Sequence, residues 1–401
     1  MLFYNTMTQK KEKFVPHSGR VGVYVCGITP DEDTHLDQAF TYVHFDVLVR
    51  YLRHLGHRVT YVQNLTDIDD RILQTAARLE TDWQALSENN TGRFLSDMHW
   101  LGNLAPTIFP RVSDLIPSII EKITMLMERG CAYLRDGNVY FKEPYRRGLR
   151  AGQRVPDDES HGGWRAESHR DVVLWQAEKP GEPAWESPWG MGRPGRHIEC
   201  TASASKFLGP NIDIIGGSEN LIFPHHECVL AHAECLDGKN PARHWIHTGS
   251  VNPPLNADQG DAANVMLLER MRHWDGLVIR AAILGRHYAE RWNFDPSDIR
   301  MAKESVELFR QAGLRANGPG PAIDPVPMEE SFHAAMNDNL DMPRAMGVLR
   351  RTAIEIMRDS STNVGPAQAF LNRALSVIGL QLDPSDGISG RKRWSHGRDD
   401  W

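Results

Sequence analysis

The stretch Val21-Gly22-Val23-Tyr24-Val25-Cys26 decides the fold class, because a short β-branched run of this kind predicts a buried parallel strand. A second such run covers residues 59–62, and apolar residues recur at helical spacing over residues 39–54 between the two. Strand, helix and strand in this order predict a right-handed crossover and an α/β fold with a parallel sheet. Ligands collect at the carboxyl ends of such strands, where Cys26 and Thr66 stand.

Beyond this unit, the pattern divides the chain into further regions. We expect the sheet domain to occupy residues 1–105 and 195–290, interrupted by an inserted connective domain at 106–194 that is rich in Gly, Pro and Trp. Helical periodicity predicts a helical bundle over 291–384, and residues 385–401 predict a polar tail. Candidate helices cover residues 115–129, 226–235, 301–314, 330–337, 343–358 and 366–378, and further candidate strands cover 138–141, 212–215 and 244–247.

Composition and charge indicate an enzyme without a membrane anchor. The chain has 401 residues, 41% of them hydrophobic, enough for one large core and a smaller domain. It contains no run of eighteen apolar residues, so no membrane partner is expected. The net charge of -7 provides no general attraction to nucleic acid, and we expect a small-molecule substrate and no tRNA partner. The sequence leaves the oligomeric state open.

Cysteine usage favours a reducing compartment. Five cysteines are an odd number without the compact spacing of a disulfide framework. The N-terminus also lacks a signal-peptide pattern, so the expected location is the cytoplasm. Cys131, Cys228 and Cys235 are most simply interpreted as thiols without a bonding partner.

Cys26, Cys200 and His225 are candidate metal ligands. Each stands in a local context typical of a strand end or a strand-to-helix turn. Three soft ligands with a fourth position left for an exogenous molecule are typical of a zinc ion that holds substrate, since structural zinc sites usually close all four positions. The spacing alone is weak evidence, because widely separated cysteines are commonly buried thiols that act as small hydrophobes.

Several strings of residues show that the chain resembles a known enzyme family. It is similar, from Tyr24 to about Leu382, to the class I synthetase branch that contains the cysteinyl-tRNA synthetases and, more closely, the mycothiol cysteine ligases. The strings are Tyr24-Val25-Cys26-Gly27-Ile28-Thr29-Pro30, Tyr61-Val62-Gln63-Asn64-Leu65-Thr66-Asp67-Ile68-Asp69-Asp70, Val173-Leu174-Trp175, Pro180-Gly181-Glu182-Pro183, Trp185-Glu186-Ser187-Pro188-Trp189-Gly190, His197-Ile198-Glu199-Cys200 and Phe223-Pro224-His225-His226-Glu227.

The resemblance implies a Rossmann-like parallel sheet with an inserted connective domain and a C-terminal helical bundle. It implies Zn²⁺ held by Cys26, Cys200 and His225. The tRNA synthetases add a glutamate four residues after this histidine, and Val229 stands at that position. The similarity therefore favours a zinc that is open to a substrate thiolate or amine. A tRNA synthetase would also continue past this C-terminus into more anticodon-reading sequence, which supports the expectation of no tRNA partner.

The nucleotide signatures of that family are altered. His35-Leu36-Asp37-Gln38 stands in place of His-Ile-Gly-His, and Ala257-Asp258-Gln259-Gly260-Asp261 stands in place of Lys-Met-Ser-Lys-Ser. The nucleotide-site remnants are therefore His35, Asp37, Gln38, Asp258 and Asp261. Asp37 replaces a glycine, and the second segment lacks both lysines that would neutralise pyrophosphate. It contains two carboxylates instead, which reverses the sign of the local field. We expect conventional ATP adenylation to be weak or absent.

The amino-acid pocket is altered as well. Arg196 stands where the family has tryptophan, and Asn220 stands where it has the aspartate that holds an ammonium group. An amide carries no full charge for an ammonium group, whereas Arg196 could bind a carboxylate or phosphate through two hydrogen bonds. The expected substrate-binding residues are Gly27, Thr29, Thr66, Arg196 and Asn220. The expected catalytic residues are His35, Thr66 and Asp67.

Several residues have a second interpretation. Asp67, Asp69 and Asp70 could supply a general base, or they could begin the helix predicted from Arg71 to Leu79. His226 and Glu227 could support the ligand His225 or form the first turn of a helix. The tryptophans of the insertion, Trp175, Trp185 and Trp189, are expected to pack inside it.

Three functional hypotheses follow. The first is a zinc enzyme that acts on a cysteine-like or other zinc-binding small molecule in a biosynthetic pathway without conventional adenylation. The second is an ATP-dependent, amide-forming cysteine ligase of the mycothiol type, with Arg193, Arg196 and Lys206 as substitute phosphate contacts. The third is an inactive synthetase-like binding protein. Retention of all three zinc-type ligands disfavours the third, and the altered signatures favour the first.

Overall fold

The computed structural model describes residues 1–17, 19–142, 167–168, 171–254 and 266–382. Its strands are β1 (Leu2–Asn5), β2 (Lys10–Lys13), β3 (Arg20–Ile28), β4 (Arg58–Leu65), β5 (Ala132–Arg135), β6 (Asn138–Phe141), β7 (Val172–Ala177), β8 (Gly192–Pro194), β9 (Ile212–Ser218), β10 (Ala242–Thr248), β11 (Val251–Asn252) and β12 (Trp292–Asn293). Its α-helices are α1 (Leu36–His54), α2 (Asp70–Arg78), α3 (Trp83–Trp100), α4 (Ile116–Glu128), α5 (Arg196–Leu208), α6 (Glu227–Asp237), α7 (Leu268–Met271), α8 (Gly276–Leu284), α9 (Pro296–Leu314), α10 (Val326–Asn337), α11 (Met342–Arg358) and α12 (Gly365–Val377).

The central sheet is parallel, with the strand order β10-β9-β3-β4. This confirms the predicted crossover, in which α1 connects β3 to β4. Phe45 of α1 packs against Gly216 of β9, where a Cβ atom would lie 2.2 Å from the phenyl ring. The glycine therefore lets the helix approach the sheet closely. Since all four strands run in one direction, their carboxyl ends meet at one edge.

The insertion has its own antiparallel sheet, ordered β5-β6-β7-β8, beside α4. Trp175 is fully buried there, and its ring centroid lies 6.0 Å from that of Trp189. Trp175 belongs to a hydrophobic cluster, and Trp185 packs against that cluster. The prediction that these tryptophans pack inside the insertion is confirmed. The sequence pattern missed β5, β7 and β8, which are three to six residues long and too short to show a clear alternation.

A disulfide connects the insertion to the sheet domain. Cys131, just before β5, is bonded to Cys235 of α6, with a Cα–Cα distance of 6.7 Å. The prediction that both are thiols without a bonding partner was therefore wrong. The two residues are 104 positions apart, so their proximity follows from the packing of α4 against α6 and not from local spacing. Cys228 is buried and keeps its thiol.

The four C-terminal helices, α9 to α12, lie close to the predicted helical segments. One hydrophobic core extends from Phe3 to Leu380 and includes residues of both the sheet domain and these helices. This core contains residues on both sides of the proposed domain boundary near residue 291. That boundary therefore stays a prediction. Buried Arg280 of α8 binds the carbonyl oxygen of Ile378 at 2.9 Å and also pairs with Asp46 of α1.

Two N-terminal features were absent from the sequence prediction. The chain begins with an antiparallel hairpin of β1 and β2, and α3 follows α2 after a short turn. Asp69 caps α2 by accepting a hydrogen bond from Arg71 N, and Asp70 lies in the first turn, so the helix-start interpretation holds for these two residues. None of the helices in the described ranges is both long enough and apolar enough to cross a membrane.

Candidate metal and substrate site

Cys26, Cys200 and His225 converge at the carboxyl edge of the parallel sheet. Cys26 lies near the end of β3, Cys200 in the first turns of α5, and His225 in the turn Ile222–His226 that precedes α6. Their donor atoms all lie within 4.8 Å of one another, and all three residues are buried. The sulfur atoms are 3.4 Å apart, and His225 Nε2 lies 3.2 Å from Cys200 Sγ and 3.5 Å from Cys26 Sγ.

This donor set fits a zinc ion. Two sulfur ligands and one imidazole nitrogen are the soft ligands that Zn²⁺ prefers. The other ring nitrogen of His225 lies 2.8 Å from His197 Nδ1, so the ligand ring has a fixed orientation. Val229, one helical turn after His225, is buried in the apolar cluster that includes both cysteines and supplies no donor.

His226 supports Cys26 and not the neighbouring ligand His225. Its Nε2 lies 3.0 Å from Cys26 Sγ, and its Nδ1 lies 2.7 Å from His247 Nε2. His247 in turn lies 2.9 Å from the Thr6 hydroxyl. The expected support of His225 is therefore replaced by a contact with the candidate ligand Cys26. Glu227 is the first residue of α6 and is buried.

The two ligand thiols have opposite tendencies to ionise. The hydrogen bond donated by Cys26 lowers the pKa of the Cys200 thiol well below its ordinary value, and the charge of His225 acts in the same direction. Burial raises the pKa of the Cys26 thiol well above its ordinary value. Cys200 is therefore the sulfur that carries negative charge most readily, as a metal ligand must.

A buried polar network lies beneath the cluster and involves residues that the sequence reasoning missed. Asn64 accepts hydrogen bonds from Tyr24 Oη and Gly27 N, both at 2.9 Å, and donates to Thr66 Oγ1 at 3.2 Å. Thr66 then donates to Glu199 at 2.9 Å. Burial, and next the charge of a neighbouring aspartate, raise the pKa of Glu199 well above its usual range. The sequence prediction did not include Asn64 and Glu199. Both lie inside the strings shared with the family, which could have indicated them.

Gly27 is required by the backbone at this point. A Cβ atom at Gly27 would lie 1.4 Å from the carbonyl oxygen of Asn64, so no larger residue fits without moving β4. The close approach places the end of β3 beside that of β4. Gly27 therefore contributes to the site by allowing the end of β3 to lie against the end of β4.

A cleft of about 390 Å³ opens above the metal-type cluster. All five predicted substrate-binding residues line it, and the structure therefore brings them together with the three candidate ligands. Asp37 and Gln38 of the altered first signature line the cleft as well. The five predicted substrate-binding residues are Gly27, Thr29, Thr66, Arg196 and Asn220.

Arg196 does not present an unpaired cation to the cleft. Its guanidinium forms two hydrogen bonds with the Asp69 carboxylate, both of 2.9 Å, and the side chain remains 41% exposed. The expected pairing with a ligand anion therefore needs correction, because Asp69 already provides a bidentate partner. Asn220 lines the opposite wall, and its backbone N donates to Ser218 Oγ at 3.4 Å.

His35 and Asp67, both predicted to be catalytic, do not line this cleft in the structure. His35 begins α1, and its backbone N donates to Gln38 Oε1 at 3.0 Å. Asp67 accepts hydrogen bonds from Ser113 N at 3.0 Å and Ser113 Oγ at 2.5 Å. Asp67 lines a different cavity of about 960 Å³. Thr66 is the predicted catalytic residue that reaches the cleft.

The remaining predicted nucleotide contacts are dispersed. Arg193 is buried in ion pairs with Asp70 and Glu182, and Lys206 lines the larger cavity. Neither lies in the cleft that contains the cluster. Asp258 and Asp261, the predicted remnants of the second signature, lie outside the described residues.

Comparison with known proteins gives a consistent family. Residues 13–304 match the catalytic domain of class I (C) tRNA synthetases. A Cysteine--tRNA ligase of Dehalococcoides mccartyi is 34% identical over 413 residues, covering 97% of this chain and 88% of that protein. A Cysteine--tRNA ligase of Alkalilimnicola ehrlichii is 38% identical over 408 residues, covering 96% of this chain and 87% of that protein.

Solved structures support the same fold. A Mycobacterium tuberculosis methionyl-tRNA synthetase in complex with methionyl-adenylate aligns with a TM-score of 0.62 at 12% identity, covering 90% of each chain. A putative arginyl t-RNA synthetase from Campylobacter jejuni aligns with a TM-score of 0.60 at 11% identity, covering 92% of this chain and 94% of that chain. At this identity the similarity concerns the fold alone.

These relatives correct one expectation. The sequence reasoning expected no tRNA partner, and this was wrong, because proteins matched along nearly the whole chain are named Cysteine--tRNA ligases. An overall negative charge was poor evidence, since a nucleic-acid surface needs a local and not a global excess of cations. By its match over residues 13–304 and its extended identity to these relatives, the chain belongs to the class I tRNA synthetase family with a cysteine-type catalytic domain.

Proposed function

We propose that this chain is a zinc-dependent ligase that binds cysteine through its thiol and joins the cysteine carboxyl group to an acceptor. The observation that carries the proposal is the convergence of Cys26, Cys200 and His225 at the floor of a cleft. Three ligands leave a coordination position for a substrate sulfur. A bound zinc would stabilise the substrate thiolate and thereby distinguish cysteine from amino acids that lack sulfur.

The residues of the chain have separate parts in this proposal. His197 and His226 hold the ligands His225 and Cys26. Thr66 and Asn220 line the cleft and could orient the rest of the substrate. Glu199 lies beneath Thr66 and fixes its hydroxyl as a donor. The site thus selects for sulfur at its floor and for polar groups along its walls.

The acceptor is the finer part of the proposal. The names of the relatives make the 3′ end of a tRNA the first acceptor to test. An amine-bearing small molecule of the mycothiol type is the other acceptor class, and it is supported by the sequence resemblance and by Val229 in place of a fourth zinc ligand. Both acceptors require the same thiol-binding floor.

The test begins with metal content and then measures the reaction. We expect about one zinc per chain, cysteine-dependent exchange of pyrophosphate into ATP, and no exchange with serine. Cys200→Ala should lose both zinc and exchange. Cys228→Ala is the matched control, because Cys228 is also buried but does not belong to the three-residue cluster. A folded wild-type protein that binds no zinc would refute the proposal.

A second candidate function is favoured by Asp37. This residue brings a carboxylate into the cleft at the first nucleotide signature. A zinc enzyme that acts on a cysteine-like small molecule without conventional adenylation would have no need for a triphosphate there. Zinc-bound protein that binds cysteine but exchanges no pyrophosphate would support this candidate over the ligase.

We further propose that the metal site works only where Cys26 and Cys200 are kept reduced, whereas the Cys131–Cys235 disulfide lies apart from this site. Cys26 Sγ and Cys200 Sγ lie 3.4 Å apart and would readily be oxidised to each other. Metal binding requires both sulfurs in the reduced form. Loss of zinc on oxidation, with recovery after reduction, would support this requirement.

A further inference from the structure

Asp37 provides the single carboxylate among the described residues that line the cleft. The cleft also contains two arginines, but each is paired with a carboxylate that does not line it. Arg71 pairs with Asp31 at 2.7 Å, and Arg196 pairs with Asp69 at 2.9 Å. The positive charges of the walls are therefore compensated, and the negative charge of Asp37 is the one that a ligand could complement.

The Asp37 carboxylate accepts one hydrogen bond from the described residues. Its Oδ1 accepts from Val251 N at 2.7 Å, and no lysine or arginine of the described ranges forms an ion pair with it. Residues 255–265, which follow β11, contain no lysine, arginine or histidine in the sequence. Burial raises the pKa of Asp37, as expected for a carboxylate without a cationic partner.

The neighbouring acid is already engaged. Glu219 Oε1 accepts from the Ser250 hydroxyl and from Arg291, each at 2.6 Å. Ser250 and Val251 are consecutive in the chain. Val251 binds Asp37 and Ser250 binds Glu219, so one short segment contacts both acids. Asn220 directly follows Glu219 in the sequence. Asn220 is neutral, which leaves Asp37 as the charged group at this end of the cleft.

We infer that Asp37 binds the protonated amine of the ligand whose sulfur occupies the metal site. The inference rests on the proposed thiol-binding function and adds a specificity-determining residue to it. The half-buried carboxylate of Asp37, with one accepting oxygen in use, has remaining lone pairs for an ammonium donor. The ligand class is therefore an aminothiol, held by its sulfur at the floor and by its amine at Asp37.

The experiment compares two thiols that differ at one group, cysteamine with an ammonium and 2-mercaptoethanol with a hydroxyl. Binding to zinc-loaded protein is measured by calorimetry for the wild type, Asp37→Asn and Asp37→Ser. Both replacements keep an oxygen that can accept from Val251 N. We expect the preference for cysteamine over 2-mercaptoethanol to fall by about tenfold or more in both variants. Dividing the two affinities removes the contribution that the thiols have in common.

Asp33→Asn is the matched control, because Asp33 pairs with Arg93 outside the cleft. It should leave the preference unchanged. An unchanged preference in the Asp37 variants, or an equal loss of both thiols, would overturn the inference alone. Zinc-loaded wild-type protein that binds neither thiol would overturn the proposed function and this inference with it. Zinc content of each variant, measured by atomic absorption, separates these outcomes from a failure to fold.

Discussion

Val229 lies one helical turn after His225, so the two side chains share a face of the chain. It is buried in the same cluster as Cys26 and Cys200. A carboxylate at this position should reach the metal as a fourth ligand. We therefore expect Val229→Glu to slow the loss of zinc to a chelator.

The matched control is Val229→Gln, which has a similar shape without the charge. The measurement is the rate of zinc transfer to a coloured chelator from each protein. Equal rates for the two variants would contradict a direct contact between the new carboxylate and the metal. Slower transfer from the Glu variant alone would support the three-ligand interpretation of the native site.

His44 of α1 gives a prediction about pH. Burial lowers the pKa of His44 to about 4, and its ring nitrogens lie 2.8 Å from Phe40 O and 3.2 Å from Arg286 O. The unfolded chain takes up this proton at a higher pH than the folded chain. Stability present above pH 6.5 should therefore be lost as the pH falls toward 4, by about 3 kcal/mol from this residue.

The measurement is urea denaturation of the wild type and of His44→Gln at several values between pH 7.5 and 4.5. The free energy of unfolding should fall less steeply with decreasing pH in the variant. Other buried histidines titrate in both proteins, so the difference between the two curves isolates His44. Parallel curves would show that His44 does not titrate in this way.

Among the secondary-structure elements, the turn between α4 and β5 is joined to α6 by a covalent bond. The Cys131–Cys235 disulfide joins residues 104 positions apart and closes a loop that includes the antiparallel sheet of the insertion and α5. A crosslink across a loop of this length should stabilise the fold by about 2–5 kcal/mol. Reductant should therefore lower the melting temperature of the wild type. The double variant Cys131→Ser with Cys235→Ser should melt at the lower temperature with or without reductant.

If reductant lowered the melting temperature of the double variant as much as that of the wild type, the effect would not come from the Cys131–Cys235 disulfide. The remaining cysteines that could respond are Cys26, Cys200 and Cys228. Zinc content measured in parallel would show whether the two candidate ligands are involved.

Prediction from the sequence succeeded where local pattern determines the element. The run 21–26 and the helical spacing of 39–54 correspond to β3 and α1, since period and composition act over a few residues. It failed where contacts are distant. The pairing of Arg196 with Asp69 and the hydrogen bond of Asp37 to Val251 join residues 127 and 214 positions apart. The candidate metal ligands could be identified only because family strings surround each one.

In the whole molecule, Arg280 connects three regions. It is fully buried on α8 and binds Asn103 Oδ1 at 2.7 Å and the Ile378 carbonyl at 2.9 Å, in addition to the Asp46 carboxylate. Arg280→Ala would leave Asp46 buried with one fewer cation. We expect a loss of about 3–5 kcal/mol in the free energy of unfolding, measured by chemical denaturation.

Arg310→Ala removes a comparable ion pair at the surface and is the control. Arg310 binds Asp275, and both side chains are well exposed to solvent. Its removal should cost less than about 1 kcal/mol. Similar losses for the two variants would mean that Arg280 does not hold the sheet domain and the C-terminal helices together.

The three candidate metal ligands come from β3, α5 and the turn before α6, so no short peptide of this chain contains the complete set. During synthesis, Cys26 leaves the ribosome long before Cys200 and His225, with the whole insertion between them. Full coordination therefore has to wait until the sheet has formed around all three. Capture of the proposed zinc would therefore be a late step of maturation, and a newly made chain that fails to form this sheet could not hold the ion.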